Sequence, residues 1–148
     1  DFWAAFTPLF QETYPGWSNA RKPQAANWWN APSGLSGARY EFAFSWPAGA
    51  DSYRLRVGLY VDRAGDGVPD KVFDYLSSHR AEVEEAFGSE LEWERLEANR
   101  SRRIWCFSEF EADPADRDKW PDYFGWIIDS AGRLRGALED LLVSYKDS

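Results

Sequence analysis

Thiols and imidazoles are almost missing from this chain of 148 residues, in which Cys106 and His79 stand alone. One cysteine excludes an intrachain disulfide, and one Cys with one His cannot supply the four ligands of a structural zinc site. A reducing, cytoplasmic setting is the expectation. A Ser or Cys hydrolase needs an imidazole base, and His79 lies in a helical pattern among Arg80, Glu82 and Glu84 rather than beside a nucleophile. Cys106 alternates with Ile104 as a small interior strand residue does. No apolar run approaches the roughly 20 residues that span a bilayer, and no basic segment leads into a signal-peptide core, so no membrane partner is expected. An excess of positive charge is also absent. The 17 Lys and Arg face 25 Asp and Glu, a net of −8, which excludes a protein whose whole surface embraces a polyanion. Methionine is lacking everywhere, position 1 included. Together with the uncapped apolar opening Phe2-Trp3-Phe6, that leads us to expect residues 1–148 to be one domain, the C-terminal module of a longer protein.

Aromatic rings are what the chain has in abundance: 9 Trp, 10 Phe and 7 Tyr, far from the ring-poor composition of disorder. The acidic excess is uneven. Segments 68–88 and 105–148 carry it, at −3 and −5, while 1–67 and 89–104 balance, so a local basic face remains open.

Phe2, Trp3, Phe6, Leu9 and Phe10 predict a short helix, with Pro8 forcing a kink or a restart after Thr7. Tyr14 to Gly37 is rich in Pro, Gly, Asn and Ser and reads as a long connection anchored by rings, with Trp17, Trp28 and Trp29 expected to be partly exposed. Tyr40 to Trp46 and Tyr53 to Val61 alternate with period two as a β-hairpin. A helix follows from Pro69 to Gly88, then strands over Leu91–Leu96 and Arg102–Phe110. The last helix starts near Pro121. Its apolar positions Trp120, Phe124, Ile127, Ala131, Leu134, Leu138, Leu141 and Tyr145 repeat in steps of four and three. The fold class is therefore α+β: helix, hairpin, helix, hairpin, long C-terminal helix, with a mainly antiparallel sheet packed on helices.

The chemistry-bearing patterns are modest, and no catalytic residue, metal or cofactor is expected. Asp62 to Asp70 has acids at calcium-loop positions one, five and nine, but has Ala at three and Phe73 where the bidentate Glu belongs. A divalent-metal nuclease would need converging carboxylates; Glu41, Asp62, Glu92 and Glu94 are the candidates, and no Lys lies on either hairpin. The basic signal is stronger. Arg100, Arg102 and Arg103 run straight into Ile104-Trp105, and Arg54 and Arg56 lie on the first hairpin. Guanidinium groups grip phosphates and rings stack on bases. The candidate nucleic-acid contacts are Lys22, Arg54, Arg56, Arg100, Arg102 and Arg103, with Trp28, Trp29 and Trp93 as stacking surfaces. Salt bridges to Glu92, Glu94 and Glu97 are the bland alternative. The last helix could instead close a homodimer or another protein interface.

Phe2-Trp3 with Phe6, Lys22-Pro23, Asn27-Trp28, Gly34-Leu35-Ser36-Gly37 with Tyr40, Val57–Asp62, Phe87-Gly88, Leu91-Glu92-Trp93-Glu94-Arg95-Leu96, Ser101-Arg102 and Trp120-Pro121 carry a resemblance that runs almost end to end. On these marks the chain is similar to domain-of-unknown-function family 4268, a prokaryotic module usually found at the C-terminal end of larger proteins. It departs from the family pattern in having Gly58 where the second strand commonly carries Glu, and in having Arg103 between the Ser-Arg pair and Ile104. The resemblance implies an upstream nuclease-like domain in the same chain and a setting in restriction or defence. It implies no activity for this domain. The expectation is a non-catalytic recognition or assembly domain that contacts nucleic acid.

Overall fold

Period-two alternation of large apolar residues calls for a sheet with one face buried, and the chain builds it. The computed structural model describes residues 1–18, 28–47, 49–62, 68–95 and 102–147. In order, these form α1 (Phe2–Thr13), β1 (Trp28–Pro32), β2 (Ala38–Ser45), β3 (Arg54–Val61), α2 (Val68–Ser77), α3 (Arg80–Phe87), β4 (Glu92–Arg95), β5 (Arg102–Phe107) and α4 (Trp120–Asp147). The strands lie in the order β1-β2-β3-β5-β4, and each neighbouring pair is antiparallel. This is the expected α+β architecture, a single domain with its sheet packed on helices.

Four local expectations are corrected. The long connection contains a strand, β1, whose Trp29 and Ala31 pair with Phe42 and Tyr40 of β2. The start of α1 is capped: Asp1 Oδ1 accepts from the Ala4 amide at 3.0 Å. Of the kink or restart expected at Pro8, the restart does not occur: α1 is one helix from Phe2 to Thr13 with Pro8 inside it. Finally, the segment from Pro69 to Gly88 is two helices. After α2 the His79 amide closes a tight turn on the Leu76 carbonyl, and α3 starts afresh to end on Gly88 in the left-handed conformation, φ 103°.

One core unites the helices with strand residues of a single parity: Trp29 and Ala31, Tyr40, Phe42 and Phe44, Leu55, Val57, Leu59 and Val61, and Ile104. α1 drives Phe2, Phe6 and Phe10 into it. Trp29 lies almost parallel to Phe42, with ring centroids 5.7 Å apart, and its Nε1 donates to Thr7 Oγ1 at 3.1 Å. Trp17 is equally sealed, donating to the Pro32 carbonyl at 2.9 Å. Both indoles were expected to be partly exposed; instead, burying their rings outweighs their polar sequence surroundings, and each N–H finds an acceptor. α4 packs on α3, β3 and α1, burying Tyr123, Ile127, Ala131, Leu134, Leu138 and Leu142. Its four-three seam is thus occupied inside the chain. At the far end Leu142 rather than Leu141 is buried, because a straight helix of 3.6 residues per turn drifts off a 3.5-residue repeat.

Candidate nucleic-acid interface

Strand residues of the other parity form the outer face of the sheet. Cross-strand register arranges them in three rows: Trp28, Ala43, Arg56, Phe107; then Asn30, Glu41, Gly58, Trp105, Glu92; then Pro32, Arg39, Tyr60, Arg103, Glu94. Side chains opposite each other in neighbouring strands are about 5 Å apart at Cβ, so each row is a line of contacts.

Arginines and rings alternate across this face. Arg39 sits 4.5 Å from the Tyr60 ring centroid and Arg103 5.4 Å, so Tyr60 is flanked by two guanidinium groups. Arg103 also reaches Trp105 at 4.5 Å, and Arg56 reaches the same indole at 4.4 Å. Trp105 can lie flat here because its cross-strand partner is Gly58. A Cβ on residue 58 would sit 2.6 Å from the Trp105 Cβ and 2.6 Å from the Ile104 carbonyl oxygen. Position 58 therefore has no room for a carboxylate unless β5 moves.

The charges are not equivalent. Arg56 is ion-paired to Glu41 and hydrogen-bonds Ser45 Oγ at 3.4 Å. Burial, with Arg103 nearby, holds its guanidinium below the usual value despite Glu41. Among the described residues, no carboxylate is bonded to Arg39 or Arg103, and the buried Nε of each lacks a hydrogen-bond partner. Asn30 Oδ1 and Trp105 Nε1, on the same face, are equally unpartnered. Buried polar atoms of this kind ordinarily take a partner from water or a ligand. The crevice among Glu41, Arg56, Tyr60, Arg103 and Trp105 is only about 10 Å³, room for a single water, so the arrangement is a surface rather than a pocket.

The expected contact residues divide between the two faces. Trp28, 45% exposed, lies on the outer face with Arg54, Arg56 and Arg103. Arg54 stands at its end and donates to the Glu109 carbonyl at 3.4 Å. Trp29, Trp93 and Arg102 belong to the helix-packed parity. Trp93 donates to Glu84 Oε2 at 3.2 Å, and Trp29 is 4% exposed, so its ring has no free face for a base. Lys22 and Arg100 lie outside the described residues, as do residues 63–67 of the calcium-like loop. Sequence reasoning missed Arg39, Asn30 and Tyr60. Alternation along β2 and β3 places them opposite the core positions, but only the pairing of β3 with β5 shows that Arg39 and Arg103 meet over Tyr60.

The nuclease carboxylates do not converge. Glu41 is taken by Arg56, Asp62 lies just past β3, and Glu92 and Glu94 stand on β4. Among the described residues, no three His, Cys, Asp or Glu side chains cluster as metal ligands. Burial, then the neighbouring Glu94, pushes the Glu92 carboxyl up. Cys106 is also displaced: burial pushes its thiol up to about 11, so it is neutral and acts as an apolar group. No described helix is long and apolar enough to cross a membrane.

Fold and face together define a class: a two-layer α+β domain whose sheet carries arginines interleaved with rings on the side away from its helices. The chain belongs to the family described as Domain of unknown function (DUF4268), whose pattern matches residues 1–142. Neither the curated proteins nor the solved structures contain a match to it.

Proposed function

We propose that the domain is the non-catalytic recognition module of a larger cytoplasmic prokaryotic restriction- or defence-type nuclease protein, and that it holds a nucleic-acid strand against the outer face of its sheet. The observation that carries this reading is the pair of guanidinium groups, Arg39 and Arg103, that flank Tyr60 without a carboxylate. Phosphates supply what both lack, at a spacing set by β2 and β5 on either side of β3. Trp28 at the β1 end offers an exposed ring for stacking. The overall charge of −8 disfavours non-specific contact with a polyanion, so binding depends on the local arginines of this face, where Arg39 and Arg103 are not ion-paired.

Fluorescence anisotropy with labelled single- and double-stranded DNA and RNA over a salt series tests it. Each phosphate contact contributes a slope of about −0.7 to −0.9 in log K against log salt. Arg39→Gln with Arg103→Gln should reduce the slope by about 1.4 to 1.8 and weaken binding to all sequences alike. An affinity that does not respond to salt, or a slope unchanged in the double variant, refutes the reading.

A further inference from the structure

A second site lies away from the outer face, at the edge of the sheet. β4 ends opposite Trp105, so the last stretch of β5 has β3 on one side and, among the described residues, no strand on the other. The Ser108 amide donates to the Leu55 carbonyl at 2.8 Å, which sets the alternation: Phe107 turns its own N–H and C=O away from β3. There they meet a cavity of about 380 Å³ between β5, the end of α3 and the middle of α4. Its volume falls within the range of small-molecule sites.

The walls are chemically specific. Phe110 and Trp126 meet edge to face, with centroids 6.3 Å apart at 85°, and form a corner into which a flat ring fits. Ser130 lines the floor; the residue is fully buried, and its hydroxyl has no partner. Arg133 stands at one side, its fork fixed by the Phe87 carbonyl at 2.9 Å and Asp129 at 3.1 Å. Those bonds use two of its five N–H donors. Glu109, also in the lining, supplies an acceptor. A simple anion would use Arg133 but would be repelled by Glu109 and would gain nothing from the rings. A peptide adding a strand needs a longer free edge than one residue offers. A flat heterocycle with donors and acceptors around its rim uses every group.

We propose that this cavity binds a nucleobase, its plane against Phe110 or Trp126 and its polar edge on Arg133, Glu109 and the Phe107 main chain. The site does not depend on the outer face, and the base can arrive on a free nucleotide or on a strand.

Calorimetric titration of the full chain with the four nucleoside 5′-monophosphates, and separately with single-stranded hexanucleotides, tests the proposal. Saturable binding of at least one is expected. Trp126→Ala, which removes one wall of the corner, should weaken it about tenfold. Phe110→Ala, at a residue 38% exposed, should weaken it comparably without unfolding the chain. Binding of mononucleotides supports a free ligand; binding of hexanucleotides alone supports a base presented on a strand. No heat from any of them at about 5 mM, a level that detects millimolar affinity, overturns the proposal. Binding that both variants leave unchanged also overturns it.

Discussion

Replacing Gly58 with Ala puts a single methyl into the tightest spot of the sheet. The new Cβ would lie 2.6 Å from both the Ile104 carbonyl oxygen and the Trp105 Cβ, against 3.4 Å for the onset of ordinary contact, so about 0.8 Å must be relieved. Neither neighbour is the end of a flexible chain: both are fixed to β5, and β3 and β5 are paired from Arg56 to Val61. The strands must separate or twist, and overpacking of this kind costs about 1–3 kcal/mol. Loss of glycine freedom in the unfolded chain offsets about 0.4–1 kcal/mol of that. The expected net loss is about 1–2 kcal/mol, which for a domain of this size lowers Tm by about 3–8 °C. Calorimetry or circular dichroism melting measures it. The penalty should persist in a Trp105→Ala background, because the obstructing atoms are a Cβ and the main chain rather than the indole. A melting temperature equal to or above that of the unsubstituted protein would show that β3 and β5 are not held together as described.

Glu84 gives the stability an acid limb. Burial alone would raise its carboxyl pKa, but the Leu91 amide, the Trp93 indole and Arg80 together outweigh that and hold it below the usual 4.5. A depressed carboxyl contributes stability above its unfolded value, and that contribution is lost as pH falls through the folded one. Glu84→Gln should therefore lower Tm at neutral pH, and the gap should narrow below about pH 4; a gap constant from pH 7 to pH 3 would count against it. Cys106 lines the cavity beside β5, but with its thiol pushed up to about 11 it should be alkylated at pH 8 more slowly than in the denatured chain. Native and denatured protein reacting at the same rate would mean that the thiol is not held neutral.

Much of the fold could be read from the chain because its strands are amphipathic in the simplest way. In Tyr40, Phe42 and Phe44, and in Leu55 through Val61, every second residue is large and apolar, and that period admits no other element. α4 was equally legible from its four-three spacing. β1 was not: Trp28-Trp29-Asn30-Ala31-Pro32 is too short for alternation to show and is framed by turn-forming residues. It is a strand because β2 offers an edge beside Phe42 and Tyr40. The split of α2 from α3 was hidden for a similar reason, since Leu76 and Val83 keep helical spacing across a turn set by main-chain bonds.

The basic face shows the same division more sharply. Composition and charge determined that positive charge could matter only locally, and the strand period determined that Arg54, Arg56 and Tyr60 share a side. Which arginines remain unpaired was a tertiary decision. Glu41 reaches Arg56 because they are diagonal neighbours on adjacent strands, while Arg39 and Arg103, 64 positions apart in the sequence, meet over Tyr60 through β3. Local sequence fixes the period and direction of a side chain; which charges neutralise one another depends on strand order and register, and these arise only when the whole core closes.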